Sequence, residues 1–566
     1  MRKVMVAVVA ALFVGALGEA MGQKMGQKSD SSVARELETA RGMEILLSVY
    51  RDANLFYVDS TKPDKMVQDA LSGMLGELDP YTEYIPAKDM SDFEYQVTGK
   101  YGGIGSLIRQ RGLGAKSWVE IAEPYEGTPS VEVGLRAGDR LLEIDGVSLQ
   151  GLGSPKVSAM LKGDPDTKFT LKYRPIADTT TTREVVITRR KITVPSVPYA
   201  GMVSSGVGYV RLNSFIEGSA REVREAIDRL AAKDSLHALI LDLRGNGGGS
   251  VGEAIDIVGL FVPRGTKALS IKGRVAQSSA TYRTRVEPTY GKLPLAVLVN
   301  SISASSSEIT AGALQDLDRA VIIGQRSFGK GLVQSPRPAP YNGIFKVTTA
   351  KYYTPSGRCI QALDYTHRRE DGSVGVVPDS LIKSFATAAG RKVYDGGGVM
   401  PDVKLEPEYI SKFGVILAAY GFIDDFANLY AAQHPKAEKH FVVSDKMYED
   451  FVRFMADKEI AYESMSSQKL KELVKAAERE KYDDKIADEL KSIASKIKDD
   501  KMEELRTFAD QIKDLIASAV VTRWSFVAGA IEHSLSQDSQ VQRAVQVLGD
   551  KAEYERILTS QDTEKN

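Results

Sequence analysis

The chain has 566 residues, of which 43% are hydrophobic, and its 74 basic residues nearly balance its 75 acidic ones. A chain of this length is expected to hold several domains, each with its own core. The balanced charge gives no global attraction to nucleic acid. The composition therefore predicts a multidomain globular protein whose function must be sought in local motifs.

The N-terminus has the pattern of a secretory signal peptide. Two basic residues precede an apolar run at residues 4–17, and small residues follow it. These are the features of a cleaved export signal. We therefore predict a signal peptide at residues 1–20, cleavage near Ala20 and a place outside the cytoplasm, most simply a periplasm. An uncleaved membrane anchor is the alternative, although the run is short for a membrane span.

Residues 21–95 are predicted to form an N-terminal helical region. Apolar residues recur at helical spacing in two stretches, and Asp79-Pro80 ends the second one. Such helices either pack within the chain or pair two subunits as a homodimer, and the residues alone favour neither interpretation.

A glycine-rich loop opens the next region, residues 96–190. Residues 101–105 read YGGIG, and a strand candidate follows them directly. Such a loop can turn several N–H groups toward one carboxylate, and the edge of the strand can pair with a peptide. Together with the AGD and DG turns downstream, the loop resembles a PDZ domain. The resemblance implies that Gly103, Ile104 and Gly105 hold the C-terminal carboxylate of a substrate.

Residues 191–406 alternate between strand and helix patterns. Apolar runs at residues 206–212, 238–243 and 295–299 predict strands, and residues 220–232 predict a helix. This alternation is typical of an α/β core. The glycine run at residues 245–249 follows the second strand, where it either cradles a phosphate or lets the backbone approach a substrate closely.

Five serines lie between residues 301 and 307, where a strand turns into a helix. The start of a helix offers unpaired N–H groups and a positive dipole end, which favour a developing oxyanion. A serine nucleophile needs a base, and a lysine serves when burial leaves it neutral. Lys330 lies between two glycines and near the apolar Phe328 and Leu332. The plainer interpretation of such serines is a helix N-cap.

The spacing in this stretch carries a specific resemblance. Residues 303–309 read SASSSEI, Gln315-Asp316 closes the helix pattern, and residues 324–334 read GQRSFGKGLVQ. This arrangement resembles the core of the C-terminal processing peptidases, also called tail-specific proteases, which are serine/lysine peptidases. The resemblance covers roughly residues 30–406.

The resemblance implies a role for each of five residues. Ser305 corresponds to the nucleophile, Lys330 to the base and Gln334 to the third member of the catalytic set. Gly249 and Ser306 correspond to the residues whose N–H groups hold the oxyanion. Ser306 stands where alanine is usual in the family, but the implied contribution is that of its backbone.

Residues 324–330 also match most of a phosphate-binding P-loop. Gly331 occupies the position where Ser or Thr would hold magnesium, and the strand that ends in Asp242 comes before this loop rather than after it. A nucleotide-driven machine is therefore a third and weaker hypothesis.

Residues 407–566 are predicted to form a C-terminal helical domain. Charged and apolar residues alternate at helical spacing from about residue 446 to residue 519. The pattern is typical of helices with solvated charged faces, and it assigns the domain no function.

Metal-binding patterns are missing from the sequence. The five histidines are scattered without metal-ligand spacing, and Cys359 is the single cysteine, so no internal disulfide can form. We predict no metal and no cofactor.

The fold expected is multidomain α/β + α: an N-terminal helical region, a PDZ domain, a serine peptidase core at residues 191–406 and a C-terminal helical domain. The function expected is that of a secreted serine endopeptidase, which recognises exposed protein C-termini and cleaves the chain through an acyl-enzyme. The alternative is a non-catalytic PDZ scaffold that binds protein C-termini and leaves them intact.

Overall fold

The computed structural model describes residues 30–559, except positions 113, 179, 234, 439 and 498. The predicted signal peptide and its cleavage site lie outside the described residues. The chain divides into two compact units, Met1–Tyr84 and Ile85–Asn566.

Two helices form the described part of the first unit, α1 (Asp30–Phe56) and α2 (Pro63–Gly76). The connection between them is fixed by polar contacts: the Thr61 hydroxyl donates to Asn54 Oδ1 at 2.7 Å. Helix α2 ends before Asp79-Pro80, as predicted. Apolar side chains of α1 are more than half exposed, among them Leu37, Met43, Leu47, Leu55 and Phe56.

An antiparallel sheet with the strand order β3-β4-β5-β7-β8 opens the second unit, and β6 pairs with β5 beside it. The turn between β5 and β6 has positive φ at Asp145 and Gly146, which is the hairpin geometry that the sequence predicts. The strands here are β1 (Glu83–Ile85), at the unit boundary, β2 (Lys100–Gly103), β3 (Ser106–Arg111), β4 (Trp118–Pro124), β5 (Arg140–Ile144), β6 (Val147–Ser148), β7 (Lys168–Arg174), β8 (Arg183–Thr188) and β9 (Arg190–Thr193). The helices are α3 (Met90–Thr98), α4 (Pro129–Glu132) and α5 (Ser154–Leu161).

A mostly parallel sheet forms the next domain, with the order β10-β11-β12-β15-β16-β23. Its central strands are buried on both faces, which is why they read as continuous apolar runs in the sequence. The strands are β10 (Tyr199–Ser204), β11 (Val207–Arg211), β12 (Ala238–Asp242), β15 (Leu295–Val299), β16 (Val321–Gly324) and β23 (Val403–Lys404). Helices α6 (Ser219–Lys233), α7 (Val251–Gly259) and α8 (Ser306–Asp316) pack against one face.

A second, antiparallel sheet lies beside these helices, and β18 at its centre pairs with β13 and β17. Two hairpins follow it along the chain. These strands are β13 (Lys267–Gly273), β14 (Ala280–Arg283), β17 (Leu332–Ala339), β18 (Gly343–Tyr353), β19 (Leu363–Arg368), β20 (Val374–Val376), β21 (Ser384–Ala386) and β22 (Lys392–Tyr394).

The C-terminal region is helical, as predicted. Its helices are α9 (Lys412–Tyr420), α10 (Phe422–Gln433), α11 (Asp445–Phe454), α12 (Met465–Glu480), α13 (Ala487–Lys496), α14 (Lys501–Thr507), α15 (Ala509–Leu535), α16 (Ser539–Gly549) and α17 (Lys551–Thr559). Helix α15 breaks at Ser525 and Phe526. Residues before the break pack in the helical domain, whereas Leu535, α16 and α17 cover the second face of the parallel sheet. The last helices therefore complete the α/β core.

Helix α15 is long and apolar enough to cross a membrane by length and composition alone. Its apolar residues Ile512, Ile516 and Val520 are fully buried within the helical domain, and Arg523 pairs with Asp424 at 2.5 Å. The same features describe the core helix of a helical domain.

The predicted multidomain α/β + α fold is confirmed.

Candidate active site

Helix α8 begins at a strained serine. Ser305 is the N-cap residue and has φ 55° and ψ −114°, a combination that residues with a side chain rarely adopt. Such a conformation costs about 1–3 kcal/mol and persists only when the surroundings impose it. All residues of α8 are buried, whereas Ser305 is half-exposed at its start. The turn thus presents one hydroxyl at the edge of a buried helix.

The structure separates Ser305 from the neighbouring serines. Ser303, Ser306 and Ser307 are fully buried. Their hydroxyls donate to the backbone carbonyls of Leu243, Gly249 and Asn246, at 2.8, 2.9 and 2.8 Å. These three therefore hold the turn in place, and the N-cap position that the plainer interpretation assigns to such serines is taken by Ser305.

The carboxylate of Glu308 joins the serine turn to the lysine loop. Its Oε2 accepts the N–H of Ser305 and the N–H of Lys330, both at 2.9 Å. Its Oε1 accepts the N–H of Gly329 at 2.6 Å and the hydroxyl of Ser327 at 2.5 Å. Two segments more than twenty residues apart are thereby fixed to one side chain.

Burial governs the protonation of Glu308. The side chain is fully buried, and this burial raises its pKa to about 6, against the opposing effect of its hydrogen-bond donors. Tyr352 lies nearby, fully buried, with its hydroxyl 3.3 Å from the carbonyl oxygen of Ser305. Burial first, and then the Glu308 charge, raise the pKa of Tyr352 well above its usual range.

The glycine run approaches the serine turn from the other side. Gly248 has φ 101°, and a Cβ placed there would lie 2.8 Å from both Ser305 Cβ and Ser306 N. Gly249 forms a parallel bridge with Phe215, made by the N–H of Ser250 and the carbonyl of Gly248. In a parallel bridge the N–H of the bridged residue points away from its partner. Glycine is therefore required at position 248 by the close approach of this run to the Ser305 turn, and the approach of the run to a substrate stays a prediction.

A buried asparagine holds the glycine run to the serine turn. Asn246 donates through Nδ2 to the Leu212 carbonyl at 2.8 Å and accepts the Gly248 N–H at 2.8 Å. Its own carbonyl accepts the N–H of Ala304 at 3.1 Å and the hydroxyl of Ser307. The relative position of the two loops is thus over-determined by hydrogen bonds.

The lysine loop does not have the geometry of a P-loop. Strand β17 follows it, where a P-loop requires a helix, and the N–H groups of Gly329 and Lys330 are bonded to a carboxylate. The P-loop interpretation of residues 324–330 is therefore wrong. Lys330 itself is half-buried; Leu332 beside it is 7% exposed, but Phe328 is 46% exposed and gives less cover than expected.

Gln334 lies on β17, the strand that follows the lysine loop. Its amide donates through Nε2 to Thr348 Oγ1 of the neighbouring strand β18 at 3.0 Å. The contact described for this side chain is thus a cross-strand one.

A groove of about 300 Å³ runs between strand β3 and helix α5 of the first sheet domain. Gly103 and Ile104 line it, together with Tyr101 and Lys162. Lys162 pairs with Asp92 at 2.7 Å. Burial, then Tyr95, raises the pKa of Tyr101 to about 12, and the N–H groups of Ser106 and Gly105 oppose the rise.

Gly105 therefore differs from the two residues before it. It has φ 74°, its carbonyl accepts the hydroxyl of Ser130 at 2.8 Å, and its N–H acts on the Tyr101 phenol.

Glu308 and Asn246 were not predicted from the sequence as functional residues, although both lie in its serine and glycine motifs. A glutamate in the first turn of an otherwise small and apolar helix is a signal for a buried, partnered carboxylate. Among residues 30–559 as described, no group of three or more His, Cys, Asp or Glu side chains is placed to hold a metal ion.

Three segments of the chain match models of known protein families. Residues 206–382 match the model of peptidase family S41, residues 120–175 match a PDZ domain, and residues 415–548 match the C-terminal helical domain of a probable PDZ-protease. The third match lies beyond residue 406, where the resemblance seen in the sequence stopped. The fold and the matches define a serine-type peptidase with a PDZ domain.

Two similar proteins identify the family more closely. A carboxy-terminal-processing protease of Bartonella bacilliformis is 33% identical over 330 residues, which are 58% of this chain and 72% of that protein. A probable CtpA-like serine protease of Staphylococcus aureus is 30% identical over 337 residues, 59% of this chain and 64% of that protein. The chain belongs to the C-terminal processing peptidases of family S41.

A solved structure of a photosystem II D1 C-terminal processing protease shares 26% sequence identity with this chain. It covers 64% of this chain and 87% of that chain, with a TM-score of 0.34.

Proposed function

We propose that this peptidase cleaves protein substrates by serine/lysine catalysis, with Ser305 as nucleophile and Lys330 as base. The Glu308 carboxylate is the observation that carries the proposal, since one oxygen binds the backbone N–H groups of both residues. Ser305 is half-buried at the start of the helix, whereas Ser303, Ser306 and Ser307 are fully buried with hydroxyls that donate to backbone carbonyls, and this difference supports the choice of nucleophile.

The proposed reaction runs through an acyl-enzyme. Ser305 Oγ attacks the scissile carbonyl carbon while its proton passes to the neutral amine of Lys330. The N–H groups of Gly249 and Ser306 hold the resulting oxyanion, which is worth about 3 kcal/mol for each donor. The intermediate then expels the amine, which takes the proton from Lys330. Water then attacks the ester carbonyl while its proton passes to Lys330, and the second intermediate breaks its bond to Ser305 Oγ, which takes that proton back as the new carboxylic acid is released.

Gln334 is proposed to orient Lys330. Because its amide is engaged with Thr348, this role requires the second amide atom, Oε1, or a change of partner during the reaction. The Gln334 contribution is therefore expected to be smaller than that of Ser305 or Lys330.

The PDZ groove is proposed to hold the substrate's C-terminal end. Gly103 and Ile104 line the groove, as does Lys162, whose ammonium pairs with Asp92. The N–H of Gly105, the next residue along the loop, is proposed to bind the terminal carboxylate with those of Gly103 and Ile104. The peptide would extend along the edge of β3 as an added strand.

The catalytic proposal is tested with a peptide that has a free C-terminus. Ser305→Ala and Lys330→Ala should each lower kcat/KM by about 10⁴-fold or more. Lys330→Arg should be equally inactive, because a guanidinium keeps its proton. Ser301→Ala, which changes an exposed serine of the same turn, is the matched control and should cleave normally. Peptide binding without cleavage by the wild type would favour the non-catalytic scaffold.

Export and a homodimer are further parts of the proposal. The N-terminal signal pattern supports an exported, periplasmic enzyme, and fractionation with N-terminal sequencing of the mature protein tests it. The exposed apolar side chains of α1 support pairing of two copies. Met43→Lys with Leu47→Lys should convert a dimer to a monomer in light scattering; a wild-type monomer would contradict this part alone.

A further inference from the structure

The side chain that begins the glycine run lies between two carboxylates. Arg244 donates from Nε and Nη2 to Asp242 at 2.6–3.0 Å. Its Nη1 and Nη2 also donate to the two oxygens of Asp538, at 3.0 and 2.7 Å. The guanidinium is therefore bound on both sides, and the Asp538 contact is bidentate.

Asp538 belongs to the C-terminal helices rather than to the peptidase core sequence. It is the N-cap of α16, and its Oδ1 also accepts the N–H groups of Gln540 and Val541 at 3.0 Å. Val541, Ala544 and Val547 of the same helix are fully buried against the parallel sheet. The carboxylate thus reaches Arg244 from a rigid support.

Charge balance shows why a second carboxylate is needed. Asp242 is fully buried and is shared by Arg211, at 2.9 Å, and Arg244. One negative charge therefore faces two guanidiniums, and Asp538 supplies the other. The Arg244 side chain is 13% exposed, so it would be left in a dry site with half of a partner if Asp538 were neutral.

The glycine run that follows Arg244 is held by close contacts at both of its ends. The N–H of Gly245 is fixed to Asn300 Oδ1 at 3.0 Å, and Gly248 is in close backbone contact with Ala304 and Ser306. Arg244 directly precedes the first of these anchors, so its displacement strains the contacts that place the proposed oxyanion donor Gly249 at the end of the run. Displacements of about 1 Å are enough to cost about a hundredfold in rate.

We propose that Asp538 is a positioning residue for catalysis: it holds Arg244, and through Arg244 the glycine run, in register with the Ser305 turn. The inference rests on the proposed catalytic role of Ser305 and Gly249. It gives the C-terminal helices a part in the reaction, since a carboxylate from α16 completes the support of the oxyanion site.

The test uses Asp538→Asn in the full-length chain. Asparagine is as good an N-cap as aspartate, so helix α16 keeps its capping while the negative charge that faces Arg244 is lost. We expect kcat for a peptide to fall at least tenfold with KM within twofold, and acylation of Ser305 by a fluorophosphonate probe to slow by the same factor. An unchanged kcat, or a loss confined to KM, would overturn the inference.

Two further variants separate positioning from stability. Asp500 caps α14 in the same way, accepting the N–H groups of Met502 and Glu503, and Asp500→Ala should lower the unfolding midpoint with normal kcat. Asp538→Ala should lose the same kcat as Asp538→Asn and additional thermal stability. A loss of kcat that follows the unfolding midpoint across all three variants would leave only a structural role.

Failure of the inference is distinguishable from failure of the proposed function. Cleavage by Ser305→Ala, or no cleavage by the wild type, contradicts the catalytic proposal itself. A wild type that cleaves, a Ser305→Ala that does not and an Asp538→Asn at the wild-type rate contradict the positioning role alone.

Discussion

At the scale of single residues, Glu308 has an unusual set of contacts. A fully buried carboxylate is costly unless several donors surround it. Here three backbone N–H groups and one hydroxyl do so, and two of the N–H groups belong to the proposed nucleophile and base. The side chain is therefore placed to set the distance between the two catalytic segments without touching a substrate.

Replacing Glu308 by glutamine should lower kcat at least a hundredfold. The amide keeps one accepting oxygen and places an NH₂ group against backbone N–H donors, so one side of the link is broken and repelled. Peptide cleavage at saturating substrate measures the loss. Glu222→Gln is the matched control, because its carboxylate likewise accepts two backbone N–H groups, of Ser196 and Val197, away from the site. Near-normal cleavage by Glu308→Gln would show that the link is dispensable.

The protonation of Glu308 should also appear in the stability of the fold. Its pKa is raised to about 6 in the folded chain, above the ordinary 4.5, so the folded state binds this proton more tightly. The associated stabilisation is complete below pH 4.5 and is lost as the pH rises through 6. Relative to Glu308→Gln, the wild type should thus become less stable between pH 4.5 and pH 7. Denaturant titrations of both proteins across that range measure the difference in their free energies of unfolding. A wild type that gains stability relative to Glu308→Gln as the pH rises would contradict the assignment.

At the scale of elements, the active site is a junction of strand, turn and helix, and the sequence predicts this junction well. Strand β15 is wholly apolar because both of its faces are buried, so its bounds follow directly from composition. The choice among five serines does not follow, because it depends on φ at Ser305 and on acceptors that come from residues 243–249. The partners of Glu308 likewise lie in a loop that is distant in sequence, so periodicity cannot reveal them.

The strain at Ser305 leads to a prediction about the turn itself. Glycine adopts positive φ without cost, whereas alanine would keep the strain that serine bears. Ser305→Gly should therefore be about 1 kcal/mol more stable than Ser305→Ala, although neither cleaves. Urea unfolding of the two variants measures the difference. At Ser301, where φ is not positive, the same pair should show glycine as the less stable residue. A glycine variant that is less stable than the alanine variant at both positions would mean that the turn at Ser305 is unstrained.

At the scale of the whole molecule, the C-terminal helices contact both functional parts of the second unit. Helix α10 holds the PDZ domain through Asp424, which pairs with Arg109 of β3 at 2.5 Å, and through Asp425, which pairs with Arg111. Helices α16 and α17 lie on the parallel sheet. Sequence patterning predicts these helices and their charged faces. It does not predict that the last of them complete the peptidase core. An amphipathic pattern shows which face of a helix is buried but not which element that face packs against.

Removal of residues 536–559 should therefore destroy the fold of the peptidase core. It uncovers the sheet face formed by Tyr209, Ile240, Leu298, Val321 and Ile323, which are all fully or almost fully buried in the intact chain. An apolar face of that size in water favours aggregation over a folded monomer. We expect the truncated protein to be insoluble or to lack a cooperative unfolding transition in circular dichroism.

The matched control is a longer excision from the same region. Residues 465–497 hold α12 and α13, within which Ala477 is the buried residue, so their loss uncovers little apolar surface. The ends lie side by side, since the N–H of Ser464 donates to Asp499 Oδ1 at 3.0 Å, and two glycines can join them. This variant should stay soluble and cleave peptides at close to the wild-type rate. A soluble, active protein lacking residues 536–559 would contradict the argument, because it would mean that the sheet needs cover on one face only.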